Sequence, residues 1–491
     1  MIDFFLIAIS VLAVLISRII NLKGIPIFTD EAIYIRWAQI GLNDPAHRYI
    51  SLTDGKQPLM TWAMYPFLKL FEDPLIAGRL VSVLGGALSV IGIYLLAKTL
   101  FDRKAAVFSV ILYTISPFSM VYDRLALMDS LLSMFGIWCL YLEVLLIKKL
   151  KLDVALILGI TAGSALLTKS SASFFLYLAP FSLIIAHWHK KTRIKSLVKW
   201  SGLILLSIFI AQVIYNSLRL SPYFYIIELK NYSFIMTFAE FIKDPFSVLL
   251  PNLNVLFSFL TAYLTWPLTV VLIFSLILAI IRKDRHLLYL FLWFIMPFAA
   301  LAAFGKILYP RFLLFMVVPL YVMAAAFLAG LTSFAAKKAK FLYLVIPLVL
   351  IMPAVNSFLI IVNPLKAGLP DSDRNQFFND WPSGYGVEEV VNFARKAAGH
   401  QKITLATEGT FGLNPAVYEI YLKENENIAI KGFWPVDSGL EELKNDAQMM
   451  PTYLVLKESQ KLSPAWTVKE IFKIRRGDSS NYLYFYRVKT D

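Results

Sequence analysis

The sequence predicts a mainly α, polytopic membrane protein that carries a C-terminal α/β domain, and three observations predict it. First, the 491 residues are 58% hydrophobic, with a mean hydropathy of +0.66. That is more apolar sequence than one soluble domain of this size hides. Second, the apolar residues fall in runs such as 4–20, 75–96, 154–167 and 341–362. These approach or reach the roughly 20 residues that cross about 30 Å of hydrocarbon. Third, short basic clusters follow every second run: Lys98/Arg103/Lys104, Lys148/Lys149/Lys151, the stretch 190–199, Arg282/Lys283/Arg285 and Lys337/Lys338/Lys340. Cytoplasmic loops show this bias.

The formal charge of +14 belongs wholly to the membrane part, because residues 1–362 hold 31 Lys+Arg against 16 Asp+Glu and residues 363–491 hold 16 against 17. A nucleic-acid binder needs one continuous basic face, so no nucleic-acid partner is expected. The single cysteine, Cys139, rules out an internal disulfide and a cysteine metal cluster. The five histidines are scattered, and neither a P-loop nor a Gly-x-Gly-x-x-Gly occurs. Nothing suggests ATP or a dinucleotide.

With the basic clusters inside, about 11 spans alternate: 3–21, 75–97, 104–121, 128–147, 152–168, 172–188, 197–219, 256–281, 287–304, 310–331 and 341–362. The first segment has no basic n-region and no small-residue cleavage site, so it reads as an uncleaved span. The N-terminus is then cytoplasmic and the C-terminus extracytoplasmic. The transmembrane unit is residues 1–362, with interfacial helices in loops 22–74 and 220–255, and the extracytoplasmic α/β unit is residues 363–491. In that tail 403–406, 428–430, 453–456, 468–474 and 482–488 read as strands, and 387–398, 415–423 and 440–450 as helices. Residues 364–382 read as the connection.

The candidate chemistry sits at span ends on the expected outer side. Asp30-Glu31 follows the first span, and Asp129 opens the fourth. Lone basic residues Lys56, Arg124, Lys169, Lys306 and Arg311 lie there too, against the positive-inside bias. Carboxylates and cations at a membrane face are what deprotonating an acceptor and gripping a lipid phosphate require. Each has a plainer reading. Thr29, Asp30 or Asp129 could cap a helix, Lys56 could snorkel, and Asp123 with Arg124 could form a surface pair of little worth. Acids at span edges are costly enough to favour the functional reading.

Five motifs then combine: Asp30-Glu31-Ala32-Ile33-Tyr34, Lys56-Gln57-Pro58-Leu59, Ser-Pro…Arg…Asp-Ser across 116–130, Leu167-Thr168-Lys169 and Pro310-Arg311-Phe312. Together, over most of residues 1–330, they resemble the polyprenyl-phosphate-dependent GT-C glycosyltransferases related to protein O-mannosyltransferases and lipid A aminoarabinose transferases. The resemblance implies transfer of a sugar from a polyprenyl-phosphate-linked donor to an extracytoplasmic acceptor (protein, lipid or glycan), by inverting displacement in the cell membrane. Asp30 would be the base or acceptor-orienting acid, with Glu31 beside it and Asp129 a second acid. Lys56 and Arg311 would hold the donor phosphate, with Arg124, Lys169 and Lys306 as further phosphate contacts and Tyr34 and Tyr309 as substrate-lining residues. The aminoarabinose transferases carry an acid immediately before the lysine of the second motif. This chain has Gly55 there and Asp54 one step earlier, so no metal ligands are assigned and no cofactor is established, a divalent cation staying open. The tail resembles the periplasmic domains appended to such enzymes. Its Glu408 and Trp381 read as ordinary loop residues, an acceptor-facing role being the alternative. The rival class is a transporter or flippase of a lipid-linked sugar. It would place ionisable groups at mid-membrane in two corresponding halves, which this chain lacks.

Overall fold

A computed structural model describes residues 1–245, 247–338 and 340–490. The cluster Lys337/Lys338/Lys340 falls partly outside the described side chains.

Among the described residues, seven helices are long and apolar enough to cross a membrane: Ile2–Ile19, Pro74–Leu100, Met128–Lys149, Lys190–Leu220, Arg285–Phe304, Pro310–Ala336 and Lys340–Val362. In chain order, α1 (Ile2–Ile19) leads to two short helices in the first loop, α2 (Thr29–Asn43) and α3 (Leu59–Leu70). Then come α4 (Pro74–Leu100), α5 (Arg103–Thr114), α6 (Pro117–Tyr122), α7 (Met128–Lys149), α8 (Leu152–Leu166), α9 (Ser173–Leu178) and α10 (Arg193–Asn216). Helices α11 (Ile226–Phe234) and α12 (Phe238–Lys243) fill the second long loop. The membrane part closes with α13 (Leu249–Leu264), α14 (Trp266–Arg282), α15 (Arg285–Phe304), α16 (Leu314–Lys338) and α17 (Val345–Val362).

The expected spans at 104–121, 152–168, 172–188 and 256–281 are not continuous helices of full length. Helix α5 stops at Thr114 and α6 restarts with Pro117 at its first position, where a missing N–H costs nothing. Helix α8 has 15 residues, about 22 Å of rise. The expected span 256–281 is two helices meeting at 110°. Thr265 stands at φ 66° and Pro267 opens α14, a combination that ends α13 because proline cannot continue its hydrogen-bond ladder.

Helices α4, α7 and α16 form the buried centre. Helix α17 keeps a stripe of Leu348, Ile351, Val355 and Phe358 exposed. Contiguous apolar surface of this kind is what hydrocarbon, not water, covers. Helices α8 and α10 touch through Gly159 and Gly163, where an added Cβ would stand 2.8 Å from the Cβ atoms of Ile210 and Ile214. Small residues four apart are how spans approach closely without a hydrophobic driving force.

Beyond α17, residues 364–382 are packed rather than a plain connection. Short helix α18 (Asp371–Arg374) buries Asp373, and Phe377 and Phe378 enter the core. The hydroxyls of Tyr122 and Tyr263 both donate to Asp373. Burial pushes the Asp373 carboxyl up to about 6, opposed by those two bonds. The tail adds α19 (Val387–Ala398), β1 (Ile403–Glu408), α20 (Leu413–Leu422), β2 (Ile428–Phe433), α21 (Leu440–Met449), β3 (Thr452–Leu456), β4 (Val468–Arg475) and β5 (Tyr482–Val488). The sheet order is β2-β1-β3-β5-β4; β1 pairs parallel with β2 and β3, and β5 pairs antiparallel with β3 and β4. The tail docks on the first loop: Arg36 Nε donates to Glu419 Oε2 at 2.8 Å, Gln39 to the Ile420 carbonyl at 3.0 Å, and Gly384 N–H to the Ile27 carbonyl at 2.8 Å.

Candidate active site

A cavity of about 510 Å³ opens where the first loop, the second loop and the ends of α7, α8, α15 and α16 meet. Asp30, Asp129, Lys56, Lys169, Lys230 and Arg311 all line it, with Tyr34. Much of the remaining wall is apolar, including Leu132, Phe174, Phe234, Leu301, Phe304 and Phe315.

Asp30 lies in the first turn of α2 and meets Arg311 Nη2 at 3.0 Å. Arg311 sits in the tight turn Pro310–Leu313. Its guanidinium lies 4.6 Å from the Tyr309 ring centre, 5.5 Å from that of Phe28 and 6.0 Å from that of Phe312. A planar cation between aromatic faces is held in orientation as well as charge. Asp129, at the start of α7, meets Lys169 Nζ at 2.7 Å. Lys169 also rests 4.5 Å from the Phe312 ring centre, which links the two pairs through one phenyl group. Lys230 of α11 pairs with Asp54 at 2.6 Å.

Lys56 forms no ion pair among the described residues. Its ammonium lies 5.1 Å from the Phe234 ring centre. Burial, aided by the charges of Lys169, Arg311 and Lys230 and opposed by Asp30, pushes it down to about 8. Gly55, just before it, stands at φ +67°, and a Cβ there would meet Ile226 O at 2.7 Å and Lys230 Cβ at 2.6 Å. The position before Lys56 therefore has no room for an acid, because α11 packs against the bare backbone.

Asn231 Nδ2 and Gln57 Nε2 both donate to Ser170 Oγ, at 3.1 and 2.7 Å. These three, with Lys230 and Gln212, line the cavity without belonging to the residues that the sequence pattern marks. Gln57 and Ser170 adjoin Lys56 and Lys169 in the chain, and Lys230 is a basic residue in a loop expected outside.

Other candidates lie elsewhere. Glu31 is fully buried; its oxygens accept from Arg79 Nε and Nη2 at 2.8 Å, from Phe28 N at 2.9 Å and from Ala126 N at 2.7 Å. It caps α2 from inside the protein, because the helix turns about 100° between Asp30 and Glu31. Arg124 is buried away from the cavity, where Nη2 donates to the carbonyls of Ile20 at 3.0 Å and Asn21 at 2.5 Å. Lys306 is engaged outside by Glu240 at 2.9 Å and the Tyr232 carbonyl at 3.2 Å. Tyr309 stacks on Arg311 instead of lining the cavity. Glu408 accepts from the amides of Lys457, Glu458 and Ser459, an internal loop-holding role. Among the described residues, no group of three or more His, Cys, Asp or Glu is placed to hold a metal ion.

Membrane helices bring acids and cations from distant segments around one cavity, beside a C-terminal α/β unit, and comparison with known proteins returns membrane proteins of similar fold. Residues 55–215 match the family model described as dolichyl-phosphate-mannose-protein mannosyltransferase. Among solved structures, ArnT from Cupriavidus metallidurans bound to undecaprenyl phosphate aligns with a TM-score of 0.61 at 14% identity, covering 99% of this chain and 97% of that one. The same protein in the apo state gives 0.60 at 16% over the same shares. The Archaeoglobus fulgidus oligosaccharyltransferase in the apo form gives 0.54 at 12% identity, covering 92% of this chain and 69% of that one. No curated protein matches the sequence. The chain thus has the fold of these membrane proteins.

Proposed function

We propose that this protein is an integral-membrane glycosyltransferase that moves a sugar from a polyprenyl-phosphate donor to an extracytoplasmic acceptor. The observation that carries the reading is the gathering of Asp30, Asp129, Lys56, Lys169, Lys230 and Arg311 around one apolar-walled cavity. Four cations against two carboxylates suit a phosphate, and the apolar wall suits an isoprenoid chain. The structural relative ArnT, described with undecaprenyl phosphate bound, supports that ligand class. The matched mannosyltransferase model supports the reaction class. The basic clusters support a cytoplasmic N-terminus and a cavity mouth that faces away from the cytoplasm, and the cell membrane is the membrane that goes with an extracytoplasmic acceptor.

The acceptor hydroxyl oxygen attacks the anomeric carbon from the face opposite the phosphate, and the new C–O bond forms as the bond to phosphate breaks. The electron pair leaves with the polyprenyl phosphate, and Asp30 takes the hydroxyl proton. Arg311 and Lys56, with Lys169 and Lys230, neutralise charge growing on the leaving phosphate, the kind of preorganised stabilisation that dominates many enzymes. Asp129 fixes Lys169 in position. The carboxylates are engaged by cations, and the mechanism invokes no metal.

The test is transfer in proteoliposomes holding purified protein and a radiolabelled polyprenyl-phosphate sugar. Wild type releases polyprenyl phosphate when an envelope extract supplies acceptor, and Asp30→Asn does not while staying inserted and folded. Asp30→Asn turning over at the wild-type rate would overturn the assignment.

A further inference from the structure

The parallel strands β1, β2 and β3 of the tail all end on one side of the sheet, and in open α/β sheets ligands bind beyond the carboxyl ends of such strands. Three features meet there. Lys457 follows β3, Trp434 follows β2, and the loop Gly409-Thr410-Phe411-Gly412 follows β1. Trp381 joins them from the segment before α19: the Lys457 ammonium lies 4.2 Å from its ring centre and 6.0 Å from that of Trp434.

Lys457 is only 7% exposed. Its backbone amide donates to Glu408, yet among the described residues its ammonium has no hydrogen bond and no ion pair. The carboxylates of Glu458 and Glu408 act on its charge from nearby, but neither meets the ammonium in an ion pair, and a nearly buried cation with no direct partner is costly unless something pairs with it. Trp381 and Trp434, by contrast, are 37% and 57% exposed, and Phe411 is 55% exposed. Large exposed aromatics around a cornered cation are not a packing requirement. They present flat apolar faces of the kind that the C–H faces of sugar rings cover.

This patch adjoins the cavity. The Thr29 amide and hydroxyl both donate to the carbonyl of Pro382, at 3.1 and 3.0 Å, so Trp381 is anchored next to the residue that precedes Asp30. Phe411 packs 6.3 Å from the ring of Trp37, which stacks at 5.7 Å on Tyr34 of the cavity wall.

We propose that Trp381, Trp434 and Lys457, flanked by Phe411, form an acceptor subsite for a carbohydrate bearing a phosphate or carboxylate. The sugar rings stack on the tryptophans, the anionic group meets Lys457, and a free hydroxyl is delivered toward Asp30. This deepens the glycosyltransferase reading and rests on it for the identity of the acceptor.

The test measures binding of a phosphorylated mannopentaose, a hexagalacturonate, neutral mannopentaose and an acidic heptapeptide to the full chain in detergent, by calorimetry. Wild type should bind at least one of the anionic oligosaccharides ten-fold or more tighter than the neutral one. The phosphate-bearing and carboxylate-bearing probes distinguish which anion is preferred. Lys457→Met should erase the preference, and Trp434→Phe should retain more affinity than Trp434→Ala. Polyprenyl-phosphate binding, measured on the same variants, should not change, which also shows that they are folded. Equal binding of charged and neutral sugars by wild type, Lys457→Met binding as wild type does, or binding of the peptide alone would overturn the subsite. Polyprenyl-phosphate binding that persists while the anionic sugars fail to bind would overturn the subsite and leave the donor reading standing.

Discussion

Two sets of ion pairs lie within a few residues of each other in the first loop and its neighbours, and they are built to opposite ends. The inner set is dry. Glu31 and Arg79 meet in two parallel bonds with no exposed side-chain surface, and Arg79 also donates to the carbonyls of Leu22, Ile25 and Pro26. Asp123 faces Arg18 at 3.5 Å, likewise unexposed, and accepts from Tyr113 and Ser130. The outer set borders a void. Asp30–Arg311 and Asp129–Lys169 line the cavity, and Lys56 stands there with no acid paired to it. A buried pair with no void beside it fixes the backbone and offers nothing to a ligand. A pair with one side open to a cavity can exchange partners. The charge pattern is similar in both; the space beside it decides the role.

Substitutions at adjacent residues separate the two sets most sharply. Asp30→Asn should lower transfer about 10²–10⁴-fold, the span that general-base catalysis supplies, with the thermal midpoint within error of wild type; a large drop in that midpoint would move Asp30 into the inner set. Arg311→Lys keeps the charge but loses the fork held by Tyr309 and Phe28, and should reduce turnover by roughly 10²-fold. Glu31→Gln should do the reverse of Asp30→Asn. It leaves buried Arg79 without its anion, at a cost on the order of 3–5 kcal/mol of stability, read by thermal unfolding in detergent, while the surviving folded fraction keeps its specific activity.

Titration sharpens the contrast further. Lys56 carries its proton below about 8 and loses it above, so affinity for a polyprenyl phosphate should fall as pH rises through that value. Lys56→Arg, charged throughout, should bind with a flat profile over pH 7–9. The smallest effect belongs to Lys306. Its pair with Glu240 is exposed, and Lys306→Ala should change stability by less than about 1 kcal/mol and transfer not measurably.

Much of this was legible in the chain. The seven long spans all fall on expected apolar runs, and strands β1 to β5 lie on the five period-2 or buried stretches read from the tail. The convergence of Asp30, Lys56, Asp129, Lys169 and Arg311 followed from their shared side of the membrane. Periodicity missed the breaks. Hydropathy runs unbroken through Ser116-Pro117 and Thr265-Trp266-Pro267, and only the backbone reveals that a proline restarts the helix there. Side-chain direction was the other gap. Glu31 sits beside a cavity-lining residue in sequence, and Arg124 near one, but both point into the core, which depends on helix phase and on partners such as Arg79, 48 positions away. The ammonium of Lys306 turns to Glu240, on a short helix 66 positions earlier, a pairing that adjacency in the chain does not reveal.

The central claim is tested most directly by titrating a polyprenyl phosphate into purified wild-type protein and a Lys56→Met/Arg311→Met variant, counting bound lipid by native mass spectrometry with the parent polyprenol as control. Wild type should retain one phosphate-bearing lipid and discriminate against the alcohol, and the variant should lose that discrimination. A folded variant that holds the phosphate lipid as tightly as wild type would contradict the assignment of this cavity.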